Sequence, residues 1–279
     1  MNIPIELENV VFGYTDTPVL KKLSFSVPRG TFLAIAGPNG AGKTTLINLL
    51  CRLLHPGSGR VTIEGSDINS YSTRDLARKV AVVRQGFVPA FGFTVTEVIL
   101  MGRTAHLGTL GFEGESDRQL AAEALELTDT ARFASRPLSE LSAGEQQRVF
   151  VARALTQDTP ILLLDEPTSF LDLKHQVAIY DLLKKMQREK EKTIVVVTHD
   201  INLAAQYCDQ VLLLAGPQAH HPCRVGTVHD VFSAPTVEAV FGVKTFTGTV
   251  GHEKFFLPLG KFAKDAAPAS TDPQGQRAD

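Results

Sequence analysis

The sequence predicts an α/β protein: a parallel sheet covered on both faces, interrupted by a helical insertion. Three observations carry this. ILLLDE (Ile161–Glu166), TIVVVTH (Thr193–His199) and QVLLLA (Gln210–Ala215) are nearly continuous Val/Ile/Leu runs, the pattern of strands buried on both sides. Helical spacing separates them, around residues 175–190 and 200–207. Between about Phe93 and Gln157 the texture turns wholly helical, in TVTEVILMGR, SDRQLAAEALEL and EQQRVFVARALT.

The earlier elements follow in order. IELENVVF (Ile5–Phe12) partly alternates, LSFSV (Leu23–Val27) follows, and Pro28-Arg29-Gly30 supplies turn chemistry before the strand TFLAIA. A glycine-rich loop leads into KTTLINLLCRLL, a helix expected over Lys43–Leu54 and stopped by His55-Pro56-Gly57. RVTIEG (Arg60–Gly65) and KVAVVRQ (Lys79–Gln85) read as two further strands. From Lys261 onward the chain is polar and rich in Ala, Pro and Gly, so one domain is expected over residues 1–260, with the insertion at about 86–158 and a disordered tail over 261–279.

Composition narrows the function classes. With 28 basic and 30 acidic residues in 279 the net charge is −2, which argues against a nucleic-acid binder working through a basic surface. Hydrophobic residues at 43% and charged residues at 21% suit a soluble globular chain. No apolar run reaches the roughly 18 residues of a membrane span, and the N-terminus lacks a secretory pattern. Three cysteines without CxxC spacing do not suggest a disulfide framework. A cytoplasmic protein that does not itself enter the membrane is expected.

Gly37-Pro38-Asn39-Gly40-Ala41-Gly42-Lys43-Thr44 fits G-x-x-x-x-G-K-[ST] between a strand and a helix, the context that pattern requires. The backbone of Gly37, Asn39, Gly40 and Gly42 would curl into an anion nest at a helix N-terminus. Lys43 would reach the β- and γ-phosphates, Thr44 would ligate Mg²⁺, and Thr45 would add a phosphate contact. The buried strand at 161–164 ends in two acids with separate tasks. Asp165 would hold Mg²⁺ and Glu166 would polarise the attacking water as general base. Together these residues point to binding and hydrolysis of Mg-ATP or Mg-GTP.

Leu141-Ser142-Ala143-Gly144-Glu145-Gln146-Gln147 carries two compatible readings. Ser142-x-x-Glu145 is a capping box opening a helix. The same helix end can also cradle phosphates of a nucleotide held by another subunit, with the Glu145 carboxylate kept back by the cap.

GPNGAGKTT, VVRQ, LSAGEQQ, LLLDEP, SFLD and THD, in that order, resemble the ATP-binding cassette (ABC) ATPases over roughly residues 3–245. The resemblance implies a P-loop core with an antiparallel β-subdomain and an inserted helical subdomain. It also implies a head-to-tail homodimer with two ATPs between the P-loop of one subunit and the LSAGE segment of the other. By position, Tyr14 would stack on adenine, and Gln85 would sense Mg²⁺ and the attacking water. Ser142 and Gly144 would contact nucleotide across the dimer, Ser169, Leu171 and Asp172 would couple the two sites, and His199 would contact the γ-phosphate. Ala143 and Glu145 depart from the usual glycine and glutamine.

SDINSYSTRDLARKVAVVRQ, FTVTEVILMGRTAHLG and SFLDLKHQ are similar to the ATPases of metal-chelate importers, which move iron–siderophore complexes, haem, vitamin B12 or related oxyanions. That likeness implies multi-spanning permease subunits, a periplasmic binding protein upstream, and a peripheral place on the cytoplasmic face of the bacterial inner membrane. A soluble ABC ATPase would carry a second cassette or long coiled coils. A P-loop small-molecule kinase would have no use for LSAGE, and Glu166 argues against a non-catalytic nucleotide sensor. His220-His221-Pro222-Cys223 reads as an exposed loop rather than a metal site. Lys184, Lys185, Arg188, Lys190 and Lys192 read as a solvated helix face, and the phenylalanines from Phe241 to Phe256 as a small C-terminal core.

Overall fold

A computed structural model describes residues 3–84, 92–108, 111–216, 223–251 and 253–260. Strands β1 (Ile5–Phe12), β2 (Leu20–Val27), β4 (Ser58–Ile63) and β5 (Ser66–Asp67) form an antiparallel sheet in the order β2-β1-β4-β5. The main sheet has six strands in the order β10-β9-β3-β8-β7-β6, built from β3 (Phe32–Ala36), β6 (Val80–Val83), β7 (Ile161–Asp165), β8 (Thr193–Val197), β9 (Gln210–Leu214) and β10 (Cys223–Thr227). All its pairings are parallel except β9 with the edge strand β10.

Alternation along the central strands feeds two separate cores. Leu33, Ile35, Leu163, Val195 and Val197 face the antiparallel sheet and α1 (Lys43–Leu50), meeting Ile5, Leu7, Leu46 and Leu49. Phe32, Ala34, Leu162, Leu164, Ile194 and Val196 face the opposite way. There they pack with helices of the insertion, α3 (Val95–Leu100), α4 (Glu115–Leu127) and α5 (Ala143–Thr156), and with α6 (Leu173–Lys190) and α7 (Ile201–Tyr207). The chain closes with α8 (Val228–Val231), α9 (Ala234–Phe241) and a hairpin of β11 (Thr245–Val250) and β12 (Glu253–Pro258). A further short helix, α2 (Thr73–Ala77), precedes β6.

Polar contacts brace the insertion internally and fasten it to α2 and β6. Arg103 donates to the Thr156 carbonyl (3.0 Å) and pairs with Asp117 (2.7 Å). Gln157, just past α5, donates its amide to the carbonyls of Ala77 and Val80. Arg74 and Arg78 reach across to the Ala105 carbonyl at 3.0 and 2.9 Å.

Several expectations are revised. The helix from Lys43 ends at Leu50, not Leu54. Arg52 takes φ +56°, and the amides of Leu53 and Leu54 both fold back on the Asn48 carbonyl. The expected basic face is only partly on α6 and only partly solvated: Lys192 lies past the helix end, buried and bound to Asp158 and the Thr159 carbonyl, both at 2.7 Å. Lys184 pairs with Asp209 at 2.8 Å and lies over the Phe32 ring. Of the late phenylalanines, Phe256 joins the main core whereas Phe246 is exposed. Gln85, His220, His221 and the segment 261–279 lie outside the described residues.

Candidate nucleotide site

The carboxyl ends of β3, β7 and β8 lie side by side, and each delivers part of one cluster. After β3 the chain enters the glycine-rich loop. Gly37 has φ +151°, and a Cβ there would fall 2.2 Å from the Leu214 carbonyl oxygen, so only glycine lets the loop lie against β9. Lys43 opens α1 and turns its ammonium back into the loop, donating to the carbonyls of Gly37 (2.8 Å) and Pro38 (2.9 Å). Its burial lowers its pKa, against the opposing pull of Glu166 and Asp165. Asn39 and Gly40 are exposed at the loop tip, and Thr45 is buried with its hydroxyl 3.2 Å from that of Tyr14. Tyr14 itself is 64% exposed and stands edge-on to Phe12.

β7 ends at Asp165. Glu166 sits at φ +50°, one residue beyond the strand, with its amide bonded to the Val197 carbonyl (3.1 Å). A left-handed residue aims the second carboxylate, a strained arrangement of the kind that gathers at functional sites. Glu166 is held from two sides, by His199 Nε2 and by the Ser169 hydroxyl at 3.1 Å. The tie to Ser169 went unforeseen. Its signal is the turn Glu166-Pro167-Thr168-Ser169, which closes through a Ser169 amide to Glu166 carbonyl bond of 3.1 Å.

Asp165 is 3% exposed, its carboxylate accepts from the Thr44 hydroxyl, and its Oδ1 is buried with no hydrogen-bond partner. Burial is the main cause of its raised pKa. An orphaned anionic oxygen beside an exposed threonine hydroxyl is a donor set for a hard cation. The charged form of Asp165 is therefore penalised by folding, fully above its folded pKa and not at all below its unfolded one. Asp165→Asn is expected to raise the melting temperature of the nucleotide-free chain by about 2–4 °C near neutral pH, the scale of ~1 kcal/mol in a domain of this size. Scanning calorimetry across pH should show the gain fading as acid protonates the wild-type carboxylate.

The other predicted segment stands at the start of α5. Ser142 caps the helix, and Glu145 returns its carboxylate to the Ser142 amide and hydroxyl, both at 2.8 Å. Those bonds hold the Glu145 carboxyl below its ordinary range. Gly144 packs so closely that a Cβ would lie 2.9 Å from the Phe170 carbonyl oxygen, which places this helix end against the Ser169–Asp172 loop. Asp172 caps α6 and accepts from the His175 amide (2.9 Å) and Nδ1 (2.7 Å), while its neighbour Leu173 is 72% exposed. The loop, Asp165, Glu166 and His199 thus form one cluster, and Ser142, Gly144, Leu171 and Asp172 a second.

The sequence pattern of the ABC transporter family matches residues 20–169. The iron(3+)-hydroxamate import ATP-binding protein of Bacillus subtilis is 36% identical over 239 residues, covering 86% of this chain and 88% of its own. A solved metal-chelate type ABC transporter in an inward-facing conformation has a chain that superposes with a TM-score of 0.80, at 29% identity, over 94% of this chain and all but 1% of that one (99%). A dimeric ATP-binding cassette in a post-hydrolysis state, bound to ADP and Pi, superposes at 0.70 with 33% identity, over 80% and 98% of the two chains. Among the described residues no helix is long and apolar enough to cross a membrane. A family pattern over more than half of the chain, and a relative alike over most of both lengths, show that this chain belongs to the ABC transporter family as an ATP-binding, ATP-hydrolysing subunit.

Proposed function

We propose that the chain powers import of a metal chelate, of the iron–siderophore, haem or cobalamin type, as a homodimer docked beneath multi-spanning permease subunits. The observation that carries the catalytic part is the convergence of Lys43, Asp165, Glu166 and His199 at the carboxyl end of the parallel sheet. Likeness to an iron-hydroxamate import protein and to a metal-chelate type transporter supports the cargo class.

The residues divide the work. The loop from Gly37 to Gly42 presents amides to the phosphates, and Lys43 exchanges the carbonyls of Gly37 and Pro38 for phosphate oxygens. Thr45 adds a phosphate contact, and Tyr14, half free of the surface, stacks on the base. Thr44 and Asp165, with Gln85, would hold Mg²⁺, which when bound neutralises phosphate charge. Glu166 accepts the proton of the attacking water once His199 leaves it for the γ-phosphate. Ser142 and Gly144 bind the phosphates held by the partner subunit, and Asp172 with Ser169 and Leu171 couples the sites. The domain spans residues 1–260, with 261–279 as a tail, on the cytoplasmic face of the membrane and fed by a periplasmic binding protein.

Expression with its neighbouring genes is the test. The chain should copurify with a multi-spanning membrane protein, and ATP hydrolysis by that complex in vesicles should rise when a loaded chelate-binding protein is supplied. Copurification with no membrane subunit, or release of a phosphorylated small molecule in place of free phosphate, would refute the reading.

A further inference from the structure

Four helices of this chain start alike. α2, α3, α5 and α8 each have a serine or threonine at the cap and an acid three residues later. In each the acid accepts from the cap hydroxyl: Asp75 from Ser72, Glu97 from Thr94, Glu145 from Ser142 and Asp230 from Thr227. That order keeps the carboxylate back on its own helix, where first-turn amides and the helix dipole favour it. α6 inverts the order. Its acid, Asp172, is the cap, and the residue three along is His175.

Capping does not call for the imidazole. An aspartate cap needs one amide of the first turn, and the His175 amide supplies it at 2.9 Å. The His175 ring adds a second donor to the same oxygen, Nδ1 to Oδ1 at 2.7 Å, which requires Nδ1 to carry the hydrogen. Two donors on Oδ1 fix the direction of the carboxylate. They leave Oδ2 with no donor among the described residues, on a side chain that is 67% exposed. The flanking Phe170 and Leu173 are largely exposed apolar residues and offer it no hydrogen bond.

The ring has a fixed seat of its own. Its side chain is 28% exposed and close enough to Asp129, just past α4, to act on it electrostatically. The Arg148 hydrogen bond at 3.0 Å holds the Asp129 carboxyl below its ordinary range, helped by the charges of Arg132 and of His175 when protonated. Arg148 is buried in α5, the helix that Ser142 opens. The next residue after His175, Gln176, donates to the Leu171 carbonyl at 3.0 Å. The first turn of α6 thus grips the loop at both Leu171 and Asp172. The Leu171 amide in turn reaches the Thr168 carbonyl at 3.2 Å, inside the turn that starts at Glu166.

We propose that His175 is a positioning residue for ATP hydrolysis: its Nδ1 aims the Asp172 carboxylate beside Ser142 and Gly144. This rests on the coupling role given to Asp172 above. His175 touches no nucleotide and acts only through Asp172. Without the ring the helix cap survives on the amide bond alone, but the carboxylate turns about that one bond and no longer presents a fixed oxygen.

The test is steady-state ATP hydrolysis by the full chain carrying His175→Ala, His175→Asn, Asp172→Asn, or His175→Ala with Asp172→Asn. His175→Ala should lower kcat roughly three- to tenfold, the scale of one hydrogen bond lost at a group that is not itself reacting. KM for ATP should stay unchanged, because Lys43 and its loop are untouched. Asparagine places an N–H donor where Nδ1 stands, so His175→Asn should recover most of the lost kcat. Asp172→Asn keeps a good cap but loses the charge, and should lower kcat by itself. Adding His175→Ala to it should cost nothing more, because the group that His175 aims is gone. A parent-like kcat in His175→Ala while Asp172→Asn is slow overturns the proposal and leaves the role of Asp172 standing. So does a full further loss in the double variant, a rise in KM in place of the fall in kcat, or no rescue by asparagine. A parent-like kcat in Asp172→Asn removes the coupling role of Asp172, and the proposal falls with it.

Discussion

Glu166→Gln should hydrolyse ATP roughly 10²- to 10⁴-fold more slowly than the parent chain, the usual loss when a general base is removed, while binding ATP as well or better. Glutamine keeps the length of Glu166 and offers one acceptor oxygen and one N–H donor, so one of the contacts with Ser169 and His199 is kept and the other is available with the amide donating. What it cannot do is take a proton. Phosphate release and filter-bound nucleotide measured on the same sample separate the two effects. Turnover near the parent value would remove Glu166 from the role.

Two individually dead variants should rescue each other, an effect as large as the first. Lys43→Ala removes the ammonium that faces the loop, and Ser142→Arg fills the exposed start of α5. Each homodimer should fail to close on ATP. In a mixed dimer both lesions fall on one shared site, and the other keeps an intact Lys43 and an intact Ser142. Light scattering of an equal mixture should therefore show ATP-dependent dimers that neither variant forms alone, with partial hydrolysis if one site can turn over. Absence of dimers from the mixture, with both variants folded, would mean that Lys43 and Ser142 serve the same site within one chain.

The parts of this site that were legible in the sequence are those whose chemistry is local. A glycine-rich loop between strand and helix, an acid pair at a strand end, and Ser142-x-x-Glu145 each compress a complete physical motif into a few residues. The capping box forms as read. Partnerships across the fold were hidden. His199 and Glu166 lie on neighbouring strand ends and meet only because β7 pairs with β8, which no local spacing encodes. The left-handed turn at Glu166 was also hidden, since glutamate gives no conformational signal of its own. The hairpin was missed for a different reason. TFTGTV and EKFFLP split between core and surface, with Phe256 in the core and Phe246, Val250 and Leu257 exposed, so a reading of these apolar residues as core holds for only part of them.

The fastening of the helical insertion through Gln157 has a mechanical consequence. Gln157 joins the end of α5 to the carbonyls of Ala77 and Val80, and Val80 begins the strand whose register runs Val83 to Leu164, one residue short of Asp165. The insertion is thus a stiff arm bolted to the strand next to the acids. From Ala105 a connected route runs through Arg74 and Arg78 to α2, while Gln157 ties the end of α5 to β6, whose register with β7 ends at Leu164, next to Asp165. The insertion and the strand end that bears the two acids therefore hang on one continuous chain of hydrogen bonds, through Gln157 and β6 to β7.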